Sequence, residues 1–218
     1  MTNNNITSNN LAVISGQITG NFRPCPGKPR KNFCMAELAV KRLSGHIDYI
    51  PVTIDEKTAS KMRIHTGQNI CISGRFTSYN YHDADGSHLC LSLLACYHAF
   101  LEHPGNDENS VFLNGYISRT PVFRITPLGR WITELTIAVN YPSLESDYIP
   151  CICWNWNALT ASMFSCGTNI NAWGRIQSRK YLKKENTLKT YRKTAYEVSI
   201  RKIELLGHPA GYGRQQSQ

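Results

Sequence analysis

Residues 39–51 read AVKRLSGHIDYIP, and residues 138–150 read AVNYPSLESDYIP. Ala-Val opens both stretches and Asp-Tyr-Ile-Pro closes both, at a constant offset of 99 residues. The same offset pairs Gly16 with Gly115 and Ile18 with Ile117. An offset of 100 pairs Gly67 with Gly167, and Gly74-Arg75 with Gly174-Arg175. Register kept over so many positions identifies two copies of one unit. The copies meet at residues 103–109, HPGNDEN, whose Pro, Gly and Asn content is that of a linker. The expected organisation is a first domain over 11–102, a linker over 103–110 and a second domain over 111–207. The ends, 1–10 and 208–218, are expected to be disordered or flexible.

Within each copy the periodicity is that of strands. Residues 11–18 and 111–117 are short apolar runs through or up to a glycine, and 134–139 alternates Glu, Leu, Thr, Ile, Ala, Val. Residues 148–154, 170–177 and 196–206 are similar in kind. A helix-compatible stretch at 158–164 lies between the third and fourth strands, with its counterpart at 57–64. Five strands with one helix between the third and fourth is the order of an OB-fold, a five-stranded Greek-key barrel. The expected fold is therefore all-β, two OB-fold barrels in tandem. Gly16 and Gly74, inside strands, mark bulges or barrel corners. Met62 and Met163 are expected in the core, while Trp173 is divided between core and contact and Trp156 is left open.

Composition narrows the function. The 218 residues carry 24 Lys+Arg against 15 Asp+Glu, a net charge of +9, which suits an anionic partner. Residues 106–218 hold 14 of the basic groups and 8 of the acidic ones. From Arg175 to Lys193, eight basic residues stand against one acid, Glu185. No apolar run approaches the roughly 20 residues of a membrane span. The opening MTNNNITSNN has neither the basic nor the apolar region of a secretory signal. A cytoplasmic, nucleoid-associated protein is expected, with no membrane partner.

The eight cysteines form no CxxC pair, and Cys151 and Cys153 fall on one face of a strand. They read as buried free thiols rather than zinc ligands. Cys90, Cys96, His98 and His103 make a weak local cluster. No metal site, cofactor or catalytic residue is expected; phosphate-cradling loops, paired catalytic carboxylates and metalloprotease motifs are missing from the sequence.

Residues 173–193, WGRIQSRKYLKKENTLKTYRK, alternate cations with Trp173, Tyr181 and Tyr191. Single strands are held by a basic groove tracking phosphates and by aromatic faces on which bases stack. A basic hairpin here, carrying Arg175, Arg179, Lys180, Tyr181, Lys183, Lys184, Lys189, Arg192 and Lys193, has both ingredients.

Residues 111–206 resemble the bacterial single-stranded DNA-binding protein family. FLNGYISRTPVFRITPLG is similar to its first-strand motif and ELTIAVN to its second. DYIPCICWNWNAL, CGTNINAWGRIQSRKY and AYEVSIRKIELL are similar to its third, fourth and fifth. The first copy matches through ISGQITG, LAVKR, DYIP and HTGQNICISGRFTSYNY, but its turn NFRPCPGKPRKNF departs from the pattern. The resemblance implies stacking by Tyr148, Trp154 and Tyr181, with Tyr141 close to a further stacking position. It implies phosphate contacts by Arg124, Arg179 and Lys180. In the first copy Tyr49 and Tyr81 take equivalent places, and Arg23, Arg75 and Tyr79 join the expected interface. Asp55 stands where Trp154 does, so weaker binding is expected there.

The implied function is sequence-tolerant binding of single-stranded DNA in replication, recombination or mobile-element transfer. The implied assembly is a homodimer of four barrels, with replication or conjugation proteins as further partners. Members of the family carry an acidic, apolar tip, whereas LLGHPAGYGRQQSQ at 205–218 contains no acid, so recruitment through such a tip is not expected. A primosome-like or mobile-element adaptor with weak nucleic-acid binding, and an RNA-binding OB-fold protein, remain as alternatives.

Overall fold

The computed structural model describes residues 9–27, 32–84, 86–101, 108–142, 145–186 and 189–207, the side chains of 98–99 and 183–192 excepted. Residues 1–8 and 208–218 of the expected flexible ends and most of the expected linker lie outside the described residues, as does His103, while Asn10 is buried in the first strand and Asn109 and Ser110 belong to the first strand of the second copy. The first copy folds as β1 (Asn10–Pro24), β2 (Phe33–Lys41), β3 (Ile47–Asp55), α1 (Glu56–Lys61), β4 (Asn69–Asp83) and β5 (Gly86–Phe100). Its strands run β2-β3-β5-β4-β1, and a β1–β2 pairing closes the barrel. β3 and β5 are parallel, and the other pairings are antiparallel. This is the OB-fold, with its helix between the third and fourth strands.

The second copy repeats it as β6 (Asn109–Ile117), β7 (Val122–Ile125), β8 (Trp131–Asn140), β9 (Ser146–Trp154), α2 (Trp156–Ser162), β10 (Asn169–Asn186) and β11 (Lys189–Gly207). β6–β8 closes this barrel, and β9 and β11 form its parallel pair. The long first strand of copy one is divided here into β6 and β7. Pro121 sits in the gap and has no N–H to give a ladder.

Alternation builds the interior. Leu38 and Val40 on β2, and Ile137 and Val139 on β8, are buried on one strand face each. Gly16 is required by a close approach: a Cβ there would lie 2.2 Å from the Ala39 carbonyl oxygen. At Gly174 the Ser199 carbonyl would be 2.3 Å away, beside a register shift between Trp173 and Gly174. Met62 and Met163 correct the sequence expectation. Each is the exposed C-cap of its helix rather than a core residue, because the helices have only six and seven residues and bury little more than their alanines. Trp173 is half-buried, 5.2 Å from Phe112 between ring centroids, with the Lys202 ammonium 4.7 Å over its own ring.

The step from offset 99 to offset 100 has a structural location. β3 and β9 correspond residue for residue, with Phe33 opposite Asp55 and Ile132 opposite Trp154. α1 then begins at once, whereas α2 begins after one inserted residue, Asn155, at φ +52°. Asp55 accepts from the Thr58 N–H at 2.9 Å and caps α1; Asn155 makes no side-chain cap to α2. The position that carries Trp154 in the second copy thus serves as a helix cap in the first.

The barrels are joined edge to edge. β1 pairs antiparallel with β6, Ala12 facing Val111, so that all eleven strands belong to one sheet. These two residues are counterparts at offset 99, which puts a pseudo-twofold axis between them.

Candidate nucleic-acid interface

The pseudo-axis brings β3 of one barrel against β10 of the other, and β9 against β4. At the first junction the buried Asp48 accepts from the Ser178 N–H at 2.8 Å, and the Tyr49 N–H donates to Ser178 Oγ at 3.2 Å. At the second, the Ser78 N–H donates to Asp147 at 2.6 Å and the Tyr148 N–H to Ser78 Oγ at 2.7 Å. The two junctions differ in what completes each carboxylate. Arg42 forms a two-bond pair with Asp48, at 2.5 and 2.7 Å. Its counterpart Tyr141 donates its hydroxyl to Asp147 at 2.5 Å. Burial works to raise the Asp48 carboxyl, but the Arg42 guanidinium and the Ser178 N–H outweigh it and hold it below the usual range.

The substitution of Arg42 by Tyr141 is one of several differences between two clefts related by the pseudo-axis. The first, about 930 Å³, opens between Tyr49 and Trp154 and is lined by Arg42, Arg130, Arg175, Arg179, Lys180 and Arg201. No carboxylate is among the described residues lining it. The Lys180 ammonium lies 5.9 Å over the Tyr49 ring. Arg175 Nε is buried without a hydrogen-bond partner, and burial together with the nearby Arg42 pushes its guanidinium down from its ordinary value. One carboxylate, Asp48, thus faces two crowded guanidinium groups. An anion in the cleft would relieve that repulsion.

The counterpart cleft, about 490 Å³, has the opposite character. Arg75 is the cation among the described residues lining it, and its guanidinium already lies 4.5 Å over the Tyr141 ring. Glu145 and Asp147 line the same space, and Tyr79 and Asn80 stand where the first cleft has Arg179 and Lys180. The Tyr79 hydroxyl is committed to the Pro26 carbonyl at 2.9 Å.

The expected interface residues are therefore divided. Tyr49, Trp154, Arg175, Arg179 and Lys180 share the cationic cleft. Arg75, Tyr79 and Tyr148 lie on its counterpart, whose electrostatics do not favour phosphate. Tyr141, expected near a stacking position, is instead packed against the core, bonded to Asp147 and Asn10 and covered by Arg75. Burial and Asp147 push its hydroxyl well up, as befits a structural donor. Tyr81, Tyr181 and Lys193 line a third hollow, about 770 Å³, where the β4–β5 and β10–β11 hairpins approach each other. Tyr81 stacks on His88 there at 5.2 Å. Arg23 is exposed on β1, close enough to act on Tyr81 and Tyr196 of the third hollow, and Arg124 pairs with Glu134 on the β7–β8 hairpin. The backbones of Lys183, Lys184, Lys189 and Arg192 continue the β10–β11 ladder, while their side chains lie outside the described residues.

Arg42, Arg130 and Arg201 were not singled out in the sequence. Arg201 has a local signal, since it leads the RK pair on the fifth strand, whereas Arg42 joins the cleft only through the β1–β6 pairing. Among the described residues the eight cysteines form no disulfide. Four are buried, but Cys96 and Cys166 are exposed, which departs from a uniformly buried set. Burial pushes the Cys153 thiol up to about 12, as an inert core thiol requires. Among the described residues, no group of three or more Cys, His, Asp or Glu could hold a metal ion, and no helix is long and apolar enough to cross a membrane.

Comparison with known proteins agrees with this architecture. The model of the single-strand binding protein family matches residues 108–206. Single-stranded DNA-binding protein B of Bacillus subtilis is 31% identical over 84 residues, 35% of this chain and 74% of that protein. The single-stranded DNA-binding protein of Oceanobacillus iheyensis is 31% identical over 118 residues, half of this chain and 70% of its own length. That of Halalkalibacterium halodurans is 36% identical over 80 residues, and the match spans about half its length, 48%. Across both barrels the fold is similar to the crystal structure of the wild-type single-stranded DNA binding protein from Thermus aquaticus. The TM-score is 0.68 at 22% identity, covering 95% of this chain and 98% of that one. The chain belongs to the single-strand binding protein family, a family of non-enzymatic DNA-binding proteins, in a form that carries two OB-folds in one polypeptide.

Proposed function

We propose that the protein binds single-stranded DNA in the cleft between its barrels, with little preference for sequence. The observation that carries this is the composition of that cleft: six cations, no described carboxylate, and an aromatic from each barrel, Tyr49 and Trp154. Phosphates neutralise the guanidinium and ammonium groups, and each base stacked on a ring adds about 1–3 kcal/mol whatever its identity. The strand takes this cleft and not its counterpart, where Glu145 and Asp147 repel phosphate. Occupancy would keep a single strand extended and unpaired, as replication, recombination or strand transfer between elements requires. Anisotropy of labelled oligo(dT), competed with duplex DNA and with oligo(U), tests the assignment. Tight binding of oligo(dT) that duplex fails to displace is expected. Equal competition by duplex would contradict it, and preference for oligo(U) would move the assignment to RNA.

A further inference from the structure

Next to Asn155 and Arg130, which line the cationic cleft, the surface changes character. Trp156 is 74% exposed, and Trp131 and Phe123 are exposed to 37% and 39%. Trp131 meets Trp156 edge to face, with centroids 5.9 Å apart at 85°, and meets Phe123 at 6.5 Å. Trp131, Trp156, Gly129 and Asn155 line a shallow hollow of about 370 Å³. Asn155 lines both this hollow and the cleft, so the two adjoin.

The cluster is particular to the second barrel. The Asn155 N–H donates to the Trp131 carbonyl at 3.0 Å, as the Glu56 N–H donates to the Asn32 carbonyl at 2.9 Å in the first barrel. Those equivalent bonds put Asn32 in the place of Trp131, and Glu56, the first residue of α1, stands where α2 begins with Trp156. Two tryptophans thus replace two polar residues, and the inserted Asn155, at φ +52° and without a cap bond to α2, sets the start of the helix that carries Trp156. Local packing gains little from this, because Trp156 stays largely in water. A cluster of exposed aromatics is the mark of a contact surface.

We propose that this platform is a second stacking site, on which Trp156, braced by Trp131, receives a nucleobase of the strand as it leaves the cleft past Arg130. It rests on the assignment of the cleft to single-stranded DNA. The occupant is chosen by adjacency to the cleft and by charge: Arg130, next to Trp131 in the chain, lines the cleft and would take the phosphate between the last base in the cleft and the first on the platform. An indole with an open face takes any base, so the platform lengthens the site without making it selective.

The test uses the whole chain with oligo(dT) lengthened stepwise from about 4 to 16 nucleotides, the range typical of one OB-fold. Trp156→Ala is expected to match the wild type on the shortest oligonucleotides that bind and to fall about 5- to 150-fold behind once the strand outgrows the cleft. Trp156→Phe is expected to restore most of that difference. Equal affinities of Trp156→Ala and wild type at every length would overturn the platform alone, leaving the patch to a protein contact. Failure of the wild type to bind oligo(dT) at any length would overturn the cleft assignment and the platform together.

Discussion

Neutralising Lys180 and Arg201 should flatten the salt dependence of binding by a calculable amount. Six cations line the cleft, but two are already engaged: Arg42 with Asp48, and Arg179 at 3.9 Å from Glu197. Arg130, Arg175, Lys180 and Arg201 remain for phosphates. Each phosphate neutralised on a single strand contributes about 0.7 to the slope of log affinity against log salt. Four such contacts give a slope near −3 and a loss of about 50-fold between roughly 50 and 200 mM salt. Changing Lys180 and Arg201 to Gln removes two of them and flattens the slope by about 1.4, equivalent to about 7-fold across the same interval. That difference does not depend on what other cations contribute, and an oligo(dT) of about eight nucleotides keeps the strand within one barrel's typical site. Fluorescence anisotropy at five or six salt concentrations measures it, with Arg75→Gln in the counterpart cleft as the control. A slope unchanged in the double variant, or flattened equally by Arg75→Gln, would refute the division of the two clefts.

Four other outcomes follow from the same geometry. Trp154→Ala should weaken oligo(dT), oligo(dA) and mixed strands alike, by about 1–3 kcal/mol each in direct titrations. Asp48→Ala, which strands Arg42 beside Arg175, should cost about 3 kcal/mol in urea unfolding. The Asp48 carboxyl is held below its unfolded value near 3.9, so its contribution is present above that pH and lost as pH falls through the folded value; Asp48→Asn should therefore unfold with a shallower acid limb below about pH 4. Gly174→Ala should lower the melting temperature, because its Cβ would meet the Ser199 carbonyl at 2.3 Å and that contact is backbone; about 1–3 kcal/mol is expected.

Much of the fold could be read from the chain because the repeat is explicit. The DYIP motifs fixed the third strands, and the paired glycines fixed the barrel contacts. The offset change from 99 to 100 was visible, but its meaning was not: one residue, Asn155, separates a strand from a helix and turns a capped start into an uncapped one beside two tryptophans. The candidate site was half legible. Stacking and basic residues on β9 and β10 carry local signals, as Trp154 and the Arg179-Lys180 pair do. The apposition of Tyr49 with Trp154 has none, because it follows from β1 pairing with β6, a contact between strands 99 residues apart. Tyr141 misled for the same reason. It is an aromatic following a strand, near a family stacking position, and only the junction shows that it serves as the partner of Asp147 where the other junction has Arg42.

The central claim is that one strand runs between the barrels, against Tyr49 and Trp154 together. Photo-crosslinking of oligo(dT) carrying a single 5-iodouracil, followed by peptide mapping, tests it most directly. Crosslinks to Tyr49 on the first barrel and Trp154 on the second, moving from one to the other as the label is stepped along the strand, are the expected result. Crosslinks confined to Tyr148 and Tyr79, on the counterpart cleft, would contradict it.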